Sequence, residues 1–302
     1  KISSYFLERA LRERRGIVDS DLLKNHFVIC GWKSEMTNFL LAILESNTNI
    51  KDRDIVLVNN ASDSLIEAML ETPPLKKVKI IRGDFFLEMN LKRASPERAQ
   101  KILILADATP DINGIIPTIT EADARTIMAA MTLNNIARGV PIVAEILDSG
   151  IDQYLRLAHV NEIIYSRDYS RMLLAMASTG TGVTNIFHDL LDPHSPFFLK
   201  TKEIPDTFVN KNYSELKQLF EQDRPKEVLI GILENSGNSY FAKEMALKRA
   251  QQTPNISQLV QNLQAVKAIR FNRPLFGPEN DYLIRENSMA IVIERHGEKT
   301  HG

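Results

Sequence analysis

Chemistry in this chain is available at four short places. They are G-W-K at 31–33, N-N at 59–60, the aspartate of R-G-D at 82–84, and two carboxylates, Asp107 and Glu145, that each end an apolar run. Gly31 follows the run Phe27-Val28-Ile29-Cys30 and precedes a helix-compatible stretch from Ser34. A strand, a glycine turn and a helix start in that order form the opening of a dinucleotide-type fold. Of the usual G-x-G-x-x-G, only the first glycine is present; Lys33 and Met36 stand at the other two positions. Lys33 beside a helix N-terminus suits a phosphate, because free N–H groups and an ammonium both attract an anion. The alternative for Lys33 is an ordinary solvated lysine. Asn59 and Asn60 stand where an acidic residue would hold ribose hydroxyls, and an amide gives up the charge-assisted bond. Asp84 could contact a ribose or a base, or be an exposed turn aspartate. Trp32 could stack on a base, although core or interface packing is the more ordinary role of a tryptophan. Together Gly31, Trp32, Lys33, Asn59, Asn60, Asp84 and Asp107 outline a crevice for NAD or an adenine nucleotide, with tight NAD binding in doubt.

Those residues need a scaffold that brings strand ends together. Strand-like runs are expected at Phe27–Cys30, Asp54–Asn59, Val78–Arg82, Lys101–Ala106, Pro141–Ile146 and Glu162–Tyr165. Helix-like runs lie between them at Ser34–Leu44, Ser62–Leu70, Leu87–Ala94, Ala122–Ala137 and Ile151–Ala158. Continuous apolar strands separated by helices imply a parallel sheet buried on both faces. The fold class is therefore α/β: a Rossmann-like doubly wound parallel sheet with ligands at the carboxyl ends of its strands, a helical crossover, and a smaller α+β C-terminal lobe. The stretch 107–120 has two prolines and a glycine, and a loop of that length beside a central strand is usually functional. A long helical stretch over 167–192 breaks at Thr179-Gly180-Thr181-Gly182. Beyond it, Phe197–Ile204, Glu227–Leu233, Tyr282–Arg285 and Ala290–Glu294 read as strands. Tyr213–Glu221 reads as a helix capped by Asn212, and 239–269 as an inserted helical pair.

Bulk properties narrow the function classes. The 302 residues suffice for two domains, and 44% hydrophobic with 25% charged residues is ordinary for a globular protein. A net charge of −1 provides no general attraction to nucleic acid or anionic membrane, so no nucleic-acid partner is expected. The single cysteine, Cys30, excludes an internal disulfide and fits a reducing compartment. No apolar run approaches the ~18 residues needed to span a bilayer. Ser-His-Asp order, zinc spacing and a Walker-type loop are missing from the sequence, and no acid–base pair suits hydride transfer. An NAD-dependent dehydrogenase is thus the weakest reading, and no enzymatic activity is expected.

The order of elements resembles RCK (regulator of K+ conductance) domains, also called TrkA-type domains, of prokaryotic ligand-gated potassium channels. The residues that carry the likeness are N-H-F-V-I-C-G-W at 25–32, I-L-I-L-A-D at 102–107, P-I-V-A-E at 141–145, the helix pair at 168–191 and D-Y-L-I-R-E-N-S-M-A-I-V-I at 281–293. The resemblance implies a linker from a membrane pore over 1–25, a Rossmann-like N-lobe over 26–166, a helical crossover and dimer interface over 167–192, and a C-lobe over 193–302. The arginines at 9, 12, 14 and 15 fit such a linker, or simply a solvated helical end. The sequence opens at Lys1, and a pore upstream of it is an expectation. The resemblance also implies a homo-oligomer: a dimer assembling into an octameric gating ring under a tetrameric K+ pore, at the cytoplasmic face of the membrane. A soluble regulatory subunit of a Trk/Ktr-type K+ transporter is the alternative.

The same family suggests a second ligand. In calcium-gated relatives, carboxylates at the ends of two neighbouring strands bind Ca²⁺, a hard ion that takes 6–8 oxygen ligands. Asp107 and Glu145 stand at those ends here, on strands about 5 Å apart. The family's further carboxylate, two residues past the glutamate, is Leu147 in this chain. Asp111 and Asp123 could supply oxygens in its place. Ca²⁺ or another divalent cation is therefore expected only at a depleted site.

Overall fold

The computed structural model describes residues 23–47, 49–110, 114–192, 194–236, 247–248, 258–262, 264 and 272–295. The basic segment up to residue 22, Asp111 and most of the 239–269 insertion lie outside the described residues. The rest falls into two compact units, the first ending at Leu174 and the second starting at Ala175.

In the first unit, β1 (Phe27–Cys30), β2 (Ile55–Asn59), β3 (Lys79–Arg82), β4 (Lys101–Ile104), β5 (Ile142–Ile146) and β6 (Glu162–Tyr165) make one parallel sheet in the order β3-β2-β1-β4-β5-β6. The order reverses between β1 and β4, which is where a doubly wound sheet opens a crevice at its carboxyl edge. Successive side chains on a strand point to opposite faces. Val28, Cys30, Val56, Val58, Ile102, Ile104 and Ala144 accordingly enter one buried layer. Ile29, Leu57, Leu103 and Val143 enter the other. Both faces are apolar, so the strands read as unbroken hydrophobic runs.

Helices cover both layers. α1 (Met36–Ser46) and α2 (Asp63–Glu71) bring Met36, Leu40, Ile66 and Met69 to the second layer. α3 (Glu88–Arg93), α4 (Ile119–Ile136) and α5 (Gln153–Leu157) bring Leu91, Ala129, Ala130, Leu133 and Leu155 to the first. Each fully buried aliphatic side chain of this size stabilises by roughly 1.5–3 kcal/mol. α4 starts three residues earlier than the sequence pattern suggests. The Thr118 hydroxyl accepts from the Glu121 N–H at 3.2 Å, while Glu121 accepts from the Thr118 N–H at 2.7 Å. This reciprocal cap satisfies donors that would otherwise be orphaned, and it is written in the sequence as T-I-T-E.

α6 (Ser166–Thr179) and α7 (Val183–Leu191) are separated at the expected Thr/Gly break, where Gly182 takes φ +79. In the second unit, β7 (Phe197–Glu203), β8 (Glu227–Glu234), β9 (Arg273–Phe276) and β10 (Met289–Arg295) form an antiparallel sheet in the order β7-β10-β8-β9. α8 (Tyr213–Asp223) packs Tyr213, Leu216 and Phe220 with Ile232, Ala290 and Val292. The expected strand at Tyr282–Arg285 is corrected to a single bridge between Leu283 and Asn212. There Ile284 is buried and its N–H reaches the Lys211 carbonyl, so the segment serves the α8 start and not the sheet. The edge strand β9 was not foreseen; its sequence R-P-L-F includes a proline, which a sheet tolerates at an edge.

Candidate functional site

Gly31 makes the crevice possible. It sits at φ +93, a region that L side chains rarely adopt, and a Cβ there would come within 3.0 Å of the Leu105 carbonyl oxygen. Its N–H continues the sheet to the Val58 carbonyl at 2.9 Å. The chain can thus turn out of β1 while staying against the start of the β4 loop. Trp32 is 3% exposed and belongs to the hydrophobic layer with Ile29, Met36 and Leu103. Its ring is core packing, and its backbone N–H donates to the Asp107 carboxylate.

Lys33 and Glu145 meet at the centre of the site. The Lys33 ammonium lies 2.7 Å from Glu145 Oε1 and 2.6 Å from Oε2. It also lies 3.4 Å from the Ala106 carbonyl oxygen. Glu145 is buried, and its Oε2 accepts from the Ala106 N–H at 3.0 Å. Asp107 turns instead to its own loop, accepting from the Thr109 N–H at 3.0 Å and the Thr109 hydroxyl at 2.5 Å. Burial pushes the Asp107 carboxyl pKa up, against the pull of those hydrogen bonds.

Asp123 is fully buried on α4 and receives the N–H groups of Leu147 and Asp148 at 2.8 and 2.9 Å. It ties the chain leaving β5 to the helix, and burial raises its pKa too.

A second group forms at the ends of β2 and β3. The Asn60 amide donates to Asp84 Oδ1 at 3.2 Å. Asn59 is fully buried; its Oδ1 accepts from the Ala61 N–H at 3.0 Å, while its Nδ2 has no partner among the described residues. Gly83, at φ +137, leaves room for the Asn90 amide, which a Cβ would approach to 2.4 Å. Arg82 closes the corner, bonding the Ala61 carbonyl and Asp63 at 2.5 Å each. The expected residues are therefore drawn into two groups along one sheet edge: Gly31, Lys33, Asp107 and Glu145 in one, and Asn59, Asn60 and Asp84 in the other.

Residues 22–144, running from before β1 into β5, match the family described as the calcium-activated potassium channel slowpoke-like RCK domain. This segment is similar to RCK domains. The calcium-gated potassium channel TvoK of Thermoplasma volcanium is 27% identical over 184 residues, covering 61% of this chain and 48% of that protein. The putative potassium channel protein YugO of Bacillus subtilis is 26% identical over 152 residues, covering 50% and 41%. The chain thus spans about half the length of the curated relatives it matches. The human SLO3 gating ring shares the fold, with a TM-score of 0.57 and 16% identity over 89% of this chain and 44% of that one.

The residues at the sheet edge suit the two ligand classes unequally. A divalent cation does not fit the donor set: Glu145 is engaged by Lys33, Asp107 by Thr109, and Asp123 by two backbone N–H groups. Among the described residues, no group of three or more His, Cys, Asp or Glu side chains could hold a metal ion. At the other two strand ends, Gly31 turns the chain tightly against Leu105, and the buried Asn59 Nδ2 has no partner among the described residues. The sequence pattern missed a cleft of about 470 Å³ at the end of β5, lined by Thr120, Leu147, Ser149, Arg167 and Arg171 among others. Its arginines lie on α6, and only the fold brings that helix start to the β5 end. Among the described residues, no helix is long and apolar enough to cross a membrane.

Proposed function

We propose that this chain is the ligand-sensing domain of a potassium channel, coupling a small ligand bound at the sheet edge to opening of a pore at the membrane. One observation carries this reading. The RCK match falls on β1 to β4 and most of β5, the strands whose ends build the crevice. Of the two curated relatives named above, one is a calcium-gated potassium channel and the other carries the name of a putative potassium channel protein. An adenine nucleotide or NAD is the ligand class that the residues favour. The Gly31 turn would face its phosphates, with Lys33 released from Glu145 to reach them, and Asn59, Asn60 and Asp84 would face its ribose. The domain works at the cytoplasmic face of the membrane as a homo-oligomer joined through α6 and α7. Ligand binding can gate only if it favours one arrangement of that assembly over another.

The test uses the whole channel reconstituted in liposomes, with K+ efflux followed under NAD, NADH, ATP, ADP, AMP or Ca²⁺ added singly. One nucleotide should change the efflux, and Asp84→Ala should abolish its effect while basal efflux persists. Conduction that ignores every ligand would overturn the reading. A natural protein without a covalent pore would instead point to a transporter subunit.

A further inference from the structure

The Lys33–Glu145 pair spans the part of the sheet where the strand order reverses. Lys33 follows β1, Glu145 lies in β5, and β4 runs between them. The Lys33 ammonium is shared by three acceptors: both carboxylate oxygens of Glu145, at 2.7 and 2.6 Å, and the Ala106 carbonyl oxygen at 3.4 Å. Glu145 is buried, is the only charged side chain of β5, and takes a further hydrogen bond from the Ala106 N–H. A buried carboxylate stripped of its partner cation is strongly unfavourable. The Lys33 side chain is 33% exposed, so a solute can reach it. Just beyond it, α1 begins with no side-chain cap, and its first-turn N–H groups suit an anion. The ammonium that would complete such a phosphate site is held by Glu145 instead.

We propose that the Lys33–Glu145 ion pair is an autoinhibitory contact: it withholds the ammonium from a phosphate-bearing ligand at the end of β1, and that ligand must compete with Glu145 for it. The inference rests on the nucleotide reading for the identity of the ligand; the competition itself needs only a phosphate. Two states follow. With the pair closed, Glu145 neutralises Lys33 and the crevice holds phosphate weakly. With the ligand bound, Lys33 turns to the phosphate and Glu145 is left buried without a counter-charge. That cost falls on the end of β5, whose next two residues, Leu147 and Asp148, hang by their N–H groups from Asp123 of α4. Occupancy at β1 is thereby felt on the far side of β4. A pair closed about nine-tenths of the time lowers the apparent affinity about tenfold.

The experiment titrates the 302-residue chain calorimetrically with ADP, pyrophosphate and adenosine, for wild type, Glu145→Gln and the double variant Lys33→Met/Glu145→Gln. Glutamine keeps the shape of Glu145 and an acceptor for the Ala106 N–H while freeing the ammonium. The double variant leaves no buried charge unpaired, and circular dichroism checks that both variants fold. Glu145→Gln should bind ADP and pyrophosphate about tenfold more tightly than wild type. The double variant should lose that gain. Adenosine, which has no phosphate, should bind wild type and Glu145→Gln alike, which separates competition for the ammonium from a general loosening of the crevice. Equal ADP affinity in wild type and Glu145→Gln would overturn the proposal and leave the nucleotide reading intact. A gain that adenosine shares, or that survives loss of Lys33, would overturn it too, as would a Glu145→Gln chain that binds neither ADP nor pyrophosphate. A gain for pyrophosphate in a chain that binds no nucleotide would uphold the contact and remove the nucleotide reading.

Discussion

At the residue scale, two positions make sharp predictions. A Cβ at Gly31 meets the Leu105 carbonyl oxygen and would have to hold φ +93. Gly31→Ala should therefore lower the unfolding free energy by about 2 kcal/mol, read from urea denaturation. His26 is buried; its Nε2 lies 2.8 Å from the Ala94 carbonyl, and its Nδ1 has no partner among the described residues. Burial lowers its pKa below 6.5 despite that hydrogen bond. With the folded pKa depressed, the unfolded chain binds more protons. The neutral ring's contribution is then complete above about pH 6.5 and is lost as pH falls through the folded value. His26→Gln should flatten the fall in stability on acidification from about pH 6.5, measured by thermal midpoints across that range. Individual site residues were partly legible beforehand. Gly31 announces itself by ending an apolar run. The Lys33–Glu145 pair does not, because its partners are far apart in sequence and meet only through strand order. The available signal was Glu145 itself, a carboxylate inside I-V-A-E-I, which burial obliges to find a cation.

At the element scale, α4 joins the site to the core. It is capped by Thr118 and Glu121, it buries Ala129, Ala130 and Leu133, and through Asp123 it holds the chain leaving β5. Thr118→Ala should cost about 1 kcal/mol of stability in urea denaturation, the usual value of such a cap. The six strands of the first sheet were legible because burial on both faces turns alternation into plain hydrophobic runs. β9 was not. It is an edge strand with Arg273 and Phe276 exposed and Pro274 in its length, so its sequence carries no periodic pattern. The Tyr282–Arg285 run misled for a related reason, since one buried residue, Ile284, imitates a strand while the segment anchors α8.

On the scale of the whole molecule, apolar side chains stand unburied on the helices after β6. Met172 and Leu174 of α6 are 57% and 72% exposed, and Ile186 and Leu191 of α7 are 59% and 72% exposed. If these helices form the proposed dimer contact, Ile186→Glu should halve the mass measured by light scattering while the circular dichroism stays native. Gross fold class could be read in advance because strand–helix alternation leaves few topologies open. Assembly could not, because a helix face that is apolar for a partner has the same periodicity as one that is apolar for its own core. The strand order has a consequence for synthesis on the ribosome. β1 lies between β2 and β4, and Phe27 pairs with Lys101, a residue made long after it. Until β4 emerges, the nascent chain carries a hydrophobic strand with one edge bare. The first lobe must therefore wait, shielded or at risk of sticking to its neighbours, for a segment encoded well downstream.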